Sequence, residues 1–261
     1  MLPTSGQLAQ TGGMRGRYPG LSDVSYSFGP GRLTPAVKAI MIANVAVFVI
    51  TFFARGDIIR ALGLRPASVI GDFAVWQLVT YMFVHAGVSH IFFNMLTLYF
   101  VGVELEQIWG TRYFTKFYFA SGIGAGLTQV ILGILPFPFA AQFYTPATVG
   151  ASGAIFGLLL AYAIYFPRRM FLVFFVFPVQ ARYFVMILGG LALLFSMGGG
   201  SGVAHTAHLG GLASGYLYLK GKRLNIISEI QYRYLKWRIN RMRKKFDVYS
   251  GGRDDYDRRV H

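Results

Sequence analysis

The sequence predicts an all-α membrane protein, six transmembrane helices with both termini on the cytoplasmic side. Three observations predict it. The 261 residues are 54% hydrophobic and only 13% charged, with a mean hydropathy of +0.49, whereas soluble domains are about a quarter charged. The apolar residues fall into separate runs, several of which approach membrane-spanning length. The basic residues are unevenly spread, and six crossings put all of them on one side except Arg55, Arg60 and Arg65. Basic flanks mark the cytoplasmic face.

Residues 1–34 are rich in Gly, Ser and Pro without an apolar run, and read as a mobile cytoplasmic arm. Thr34-Pro35 is a helix start, an N-cap residue followed by Pro at the first helical position. The first span then runs from Ala36 to Ala54. Residues 55–88 mix charges with aromatic patches and read as a long loop lying partly in the interface. The second span is expected over about Ser89–Val103 and the third over about Tyr113–Leu135. After the uncharged loop PFPFAAQFYTPAT, the fourth covers about Val149–Phe166 and ends at Pro167-Arg168-Arg169. The stretch 171–179 is short, closed by Pro178, and reads as an interfacial segment. The fifth span is expected over Tyr183–Met197 and the sixth over Val203–Leu219, separated by the GGGSG turn. Residues 35–220 thus form one six-span domain, and 221–261 a basic cytoplasmic tail.

The net charge of +15 does not point to nucleic acid, because thirteen of the 25 Lys and Arg lie from Lys220 onward. A basic juxtamembrane segment attracts anionic lipid. In the tail, Leu235, Ile239, Met242 and Phe246 form an apolar stripe among basic residues, the pattern of a surface-lying amphipathic helix or of a solvated basic one. Cysteine is absent, which excludes disulfides, thiolate metal sites and a cysteine nucleophile.

Polar groups inside apolar spans are costly and mark functional sites. His90, Asn94, Ser152, His205 and His208 are such groups, in HIFFNM, GASGAIFG and AHTAHLGGLASG. Spans two, four and six all run from outside to inside. At 1.5 Å per residue, His90, Asn94, Ser152 and His208 lie within roughly 5–10 Å of the outer helix ends. A hydroxyl beside an imidazole suggests nucleophilic catalysis, with Ser152 as nucleophile and His208 as general base. No acid lies in spans one, three, four, five or six, so the pair is a dyad, and Phe156, one turn below Ser152, could pack on His208. Ser152 as a plain helix cap is the alternative. His90 and Asn94 share a helix face and suit either an oxyanion hole or an interhelical hydrogen bond. Gly150, Gly153 and Gly157, with Gly211 and Gly215, have the small-residue spacing that lets transmembrane helices approach closely. His85, His90, His205 and His208 offer nitrogen ligands, but no HExxH motif occurs, and neither a metal nor a cofactor is expected. His85 and His205 have no assigned role.

Over about Pro35–Lys220, WQLVTYMFVHAGVSHIFFNM, ELEQIWGTRYF, GASGAIFG and AHLGGLASG appear in an order that resembles the rhomboid family of intramembrane serine proteases. The resemblance implies Ser152 as nucleophile, His208 as base, and His90 and Asn94 as oxyanion donors beside the Ser152 N–H. Phe156 stands where the family often has Tyr, and Gln77 follows Trp76 where some members have Arg. Inactive relatives lack the serine or the histidine, and this chain keeps both. The implied substrates are single-span membrane proteins that unwind locally, through Gly, Pro or Ser near the outer end. Span five and residues 198–202 would be the gate. A non-proteolytic protein that binds membrane clients is the alternative function. A transporter fits less well, since the spans lack charges for ion coupling and inverted repeats are not evident. The expected location is a bacterial inner membrane, as an integral multi-pass protein with the active site toward the outer side.

Overall fold

The computed structural model describes residues 29–173, 176–197, 202–223, 234–239 and 241. Most of the expected N-terminal arm, residues 198–201 of the expected gate, and Met242 and Phe246 of the expected tail stripe lie outside them. The fold is mostly helical. Helix α1 spans Pro35–Phe53, and three short helices, α2 (Arg55–Leu62), α3 (Pro66–Gly71) and α4 (Gln77–Thr80), follow in the segment expected as a loop. Then come α5 (Val88–Thr97), a π turn (Leu98–Gly102), α6 (Val103–Trp109), α7 (Thr111–Gly133), α8 (Ala141–Tyr144), α9 (Ser152–Tyr165), α10 (Ala181–Met197) and α11 (Gly202–Arg223).

The all-α expectation has one exception. Strands β1 (Met170–Val173) and β2 (Phe177–Gln180) form an antiparallel hairpin between α9 and α10. Its residues are apolar on both faces, which hides the strand alternation that sequence patterns rely on. Among the described residues, two helical stretches, Pro35–Phe53 and Val88–Trp109, are long and apolar enough to cross a membrane by themselves. Helix α9, with 14 residues, is apolar but shorter. Helices α7 and α11 reach 23 and 22 residues, roughly 33 Å, with Gly, Ser and Thr throughout.

Those small residues set the core. Helices α7, α9 and α11 meet where a side chain has no room. A Cβ on Gly153 would sit 2.6 Å from Ala125 Cβ, and one on Gly157 2.5 Å from Ser121 Cβ. One on Gly211 would overlap the Gly153 carbonyl, and one on Gly215 would come within 3.0 Å of Gly157 Cα. The small faces of α9 and α11 therefore interlock, with α7 behind them.

The segment between α1 and α5 is ordered by side chains that hold backbone groups. Trp76 Nε1 donates to Ala61 O at 2.9 Å and Thr80 Oγ1 to Leu62 O at 2.8 Å. Gln77 is buried, accepts the Arg65 N–H at 3.0 Å and donates to Arg60 O at 3.4 Å. Gln77 is thus a structural tie within this segment.

The start of α1 differs from the expected local cap. Thr34 makes no side-chain cap; its hydroxyl donates instead to Glu106 of α6. The buried Glu106 carboxylate accepts the Ala36 and Val37 N–H groups at 2.9 and 3.0 Å and the Thr111 hydroxyl at 2.7 Å. One carboxylate of α6 therefore caps α1 and ties its start to the first residue of α7. Hydrogen bonds to a charged group contribute about 1.5–3 kcal/mol each, and leaving buried donors unpaired adds to the loss. Glu106→Ala should lower stability by about 3 kcal/mol and Glu106→Gln by less. Thermal unfolding in detergent micelles measures both.

Candidate active site

The site is built on a turn that precedes α9. Leu64 and Thr148 exchange two backbone hydrogen bonds, at 3.0 and 2.8 Å, and the Gly150 N–H donates to Tyr81 O at 2.9 Å. Gly150 sits at φ +119°, a conformation that a side chain would strain. A Cβ there would also strike His90, 2.7 Å from its Cε1 and Nε2. The missing side chain leaves the space onto which His90 Nε2 and the Ser152 hydroxyl, 3.8 Å from the same point, both open.

Ser152 is the first residue of α9. A helix leaves its first N–H groups without intrahelical acceptors, and here these include Ser152, Gly153 and Ala154. Donors of this kind suit a developing oxyanion. From α11, His208 Nε2 lies 2.8 Å from Ser152 Oγ. The Phe156 ring stacks on the His208 imidazole, with centroids 4.1 Å apart and planes 4° from parallel. Stacking holds the ring plane and the serine contact fixes rotation within it.

The structure brings Ser152, His208, Phe156, Gly150 and His90 to one end of the bundle. Gly153 and Gly211 form the contact beneath them. Asn94 is buried, but one of its N–H groups donates to His90 O at 2.9 Å, within its own helix. Its amide carries a second N–H. His205 lies edge-on to His208 at 6.0 Å and against Phe195 at 5.3 Å. Among the described residues, no group of three or more His, Cys, Asp or Glu is placed to hold a metal ion.

Two contributors had no role assigned by sequence reasoning. Tyr81 is fully buried; its carbonyl fixes Gly150, and its hydroxyl donates to Gly122 O at 2.7 Å. Nothing in its local sequence marks it apart from the neighbouring aromatics. His85 packs edge-on against the back of His90 at 5.0 Å. Its five-residue spacing from His90 across Gly87 was the available signal. Burial, and secondarily the nearby His90, pushes the His85 pKa down to about 4.

A family model described as "Rhomboid domain" matches residues 72–222. "Rhomboid protease GluP" of Bacillus subtilis (strain 168) is 32% identical over 158 residues, covering 60% of this chain and 28% of that protein. "RHOMBOID-like protein 1" of Arabidopsis thaliana is 30% identical over 221 residues, 69% of this chain and 51% of that one. "Rhomboid protease AarA" of Providencia stuartii is 28% identical over 213 residues, 75% and 74% of the two chains. The chain thus spans between about a quarter and a half of the first two relatives.

The depressed His85 pKa has a sign. The folded protein keeps His85 neutral down to about pH 4, while an unfolded histidine takes up a proton near 6.5. Stability contributed by the neutral ring is complete above pH 6.5 and declines as the pH falls from there to about 4. Unfolding measured against pH should show this decline in the parent chain. In His85→Leu the decline should be smaller by up to about 3 kcal/mol.

Proposed function

Since the chain belongs to the rhomboid family, we propose that it is an intramembrane serine protease that hydrolyses peptide bonds in or near the transmembrane segments of single-span membrane proteins. The observation that carries this reading is the 2.8 Å approach of His208 Nε2 to Ser152 Oγ, at a helix start rich in free N–H groups. The six-span arrangement belongs to the same proposal. Helices α1, α5 with α6, α7, α9, α10 and α11 cross the membrane, and both termini are cytoplasmic on the positive-inside rule. The protein is then an integral multi-pass protein whose site opens toward the outer side. Residues 35–220 are the protease domain, and the basic tail beyond it lies along anionic lipid.

In the reaction, His208 Nε2 takes the Ser152 hydroxyl proton as Oγ bonds to the scissile carbonyl carbon. The carbonyl π electrons move to oxygen. The Ser152 N–H, His90 and the second Asn94 N–H stabilise that oxyanion. The imidazolium returns its proton to the amide nitrogen, which leaves as the amine. A water molecule then repeats the sequence on the acyl-serine, with His208 as base, and releases the acid. The Phe156 stack does the orienting that an acid performs in a triad.

The length of α9 supports the site's accessibility. Its 14 residues extend roughly 21 Å, so a helix meeting the inner boundary begins beneath the outer one, in a recess that water can enter. Amides of a lipid-embedded helix are already hydrogen-bonded. Substrates therefore unwind locally, and segments with Gly, Pro or Ser near their outer ends, with a small residue before the cut, are preferred.

With a single-span reporter in liposomes, Ser152→Ala and His208→Ala should each reduce cleavage by at least about 1,000-fold. His90→Ala should reduce it by about 100-fold. A fluorophosphonate should label the parent chain at Ser152. If client capture persists in Ser152→Ala while the parent is never labelled, the protein is a non-proteolytic client-binding member of the family.

A further inference from the structure

The β1–β2 hairpin presents a surface that the reaction does not use. Its register pairs Met170 with Gln180, Phe171 with Val179, Leu172 with Pro178 and Val173 with Phe177. Phe171 turns inward, its ring 5.3 Å from that of Tyr162 on α9 and 5.1 Å from that of Phe184 on α10. That wedge fixes how the hairpin sits at the end of α9 away from Ser152. Met170 and Leu172 lie on the opposite face from Phe171, and Val176 and Phe177 stand at the hairpin's tip; the four are 52%, 54%, 66% and 61% exposed.

Two requirements conflict at this surface. Apolar side chains on a two-stranded hairpin gain nothing from water, where such a unit is marginal on its own. Both strands are edges with unpaired N–H and C=O groups, and these cannot enter hydrocarbon. The boundary between headgroups and acyl chains meets both requirements. Exposed apolar side chains also occur on the first turns of α10, at Met186 and Ile187.

Charge then selects the lipid. Arg168 and Arg182 stand exposed at the base of the hairpin. The Arg182 guanidinium lies over the Tyr183 ring at 4.5 Å, with its Nε donating to Gln180 at 3.0 Å. Arg169 is engaged by Glu104 at 3.1 Å, which leaves the other two arginines to meet outside anions.

We propose that the hairpin docks into the headgroup–acyl boundary of the leaflet farther from Ser152, with Arg168 and Arg182 on the phosphates of anionic lipids. The proposal rests on the membrane-spanning reading above and is independent of the proteolytic chemistry. Free phosphate, which has no acyl chain, would not draw Leu172 and Phe177 out of water.

The chain has no cysteine, so a single bimane label on Leu172→Cys of the full-length protein reports this position alone. Val49→Cys, on the exposed face of α1, is the control for membrane insertion. In vesicles of phosphatidylcholine and phosphatidylglycerol, brominated lipid should quench the label at 172 and aqueous iodide should not. Brominated phosphatidylglycerol should quench about fivefold more per mole than brominated phosphatidylcholine, the enrichment expected of about one arginine at the surface. That preference should fall to unity in Arg168→Gln/Arg182→Gln. Quenching by iodide at 172, with the label at 49 quenched by lipid, overturns the docking alone. Iodide quenching at both positions overturns the membrane-spanning reading instead. Equal quenching by the two lipids in the parent arginine background overturns the anionic selectivity.

Discussion

The contact between α9 and α11 is the constraint on which everything else rests. Gly153, Gly157, Gly211 and Gly215 remove side chains from both helices along one seam, and backbones meet where Cβ atoms would collide. Lipid gives helices no hydrophobic reason to associate, so close packing of small residues has to supply the attraction. It also sets the distance at which residues on the two helices face each other. Ser152 and His208, 56 positions apart, reach 2.8 Å only because the helices beneath them are that close. A valine anywhere on the seam would push the helices apart by more than a hydrogen bond can stretch.

Around that contact, geometry stands in for charge. No carboxylate accompanies the His208–Ser152 pair among the described residues; the imidazole is steered by a parallel aromatic ring. The turn before Ser152 is held by Leu64 and Tyr81, both nearly or fully buried and both acting through backbone groups. His85 then supports His90 from behind. The pieces that orient the Ser152–His208 pair are thus mostly neutral. An ion pair would pay heavily in desolvation at this depth, which makes stacking and backbone hydrogen bonds the less costly means.

Much of this was legible in the sequence, and the gaps have physical causes. Apolar runs located the long helices to within a few residues, as for α7, expected at about 113–135 and observed at Thr111–Gly133. Polar residues in those runs drew attention to Ser152 and His208, because lipid makes such placements expensive. Helices α2, α3 and α4 were hidden by their shortness and mixed composition. The hairpin was hidden because a strand with two apolar faces has no alternation to read. The capping of α1 by Glu106 joins residues 70 positions apart, and no local pattern encodes such a contact. Tyr81 acts through its carbonyl, which every residue possesses.

The π turn at Leu98–Gly102 separates two demands placed on a single rod. Its upper half must aim His90 at the turn before Ser152, and its lower half must aim Glu106 at the start of α1. An unbroken α-helix ties those two directions together at 100° per residue. A wider turn resets the angular phase midway, so each half answers to its own neighbour. Losing one residue from this turn would leave the helix continuous yet swing one end away from its partner, so the length of this stretch constrains the protein as strictly as its polar residues do.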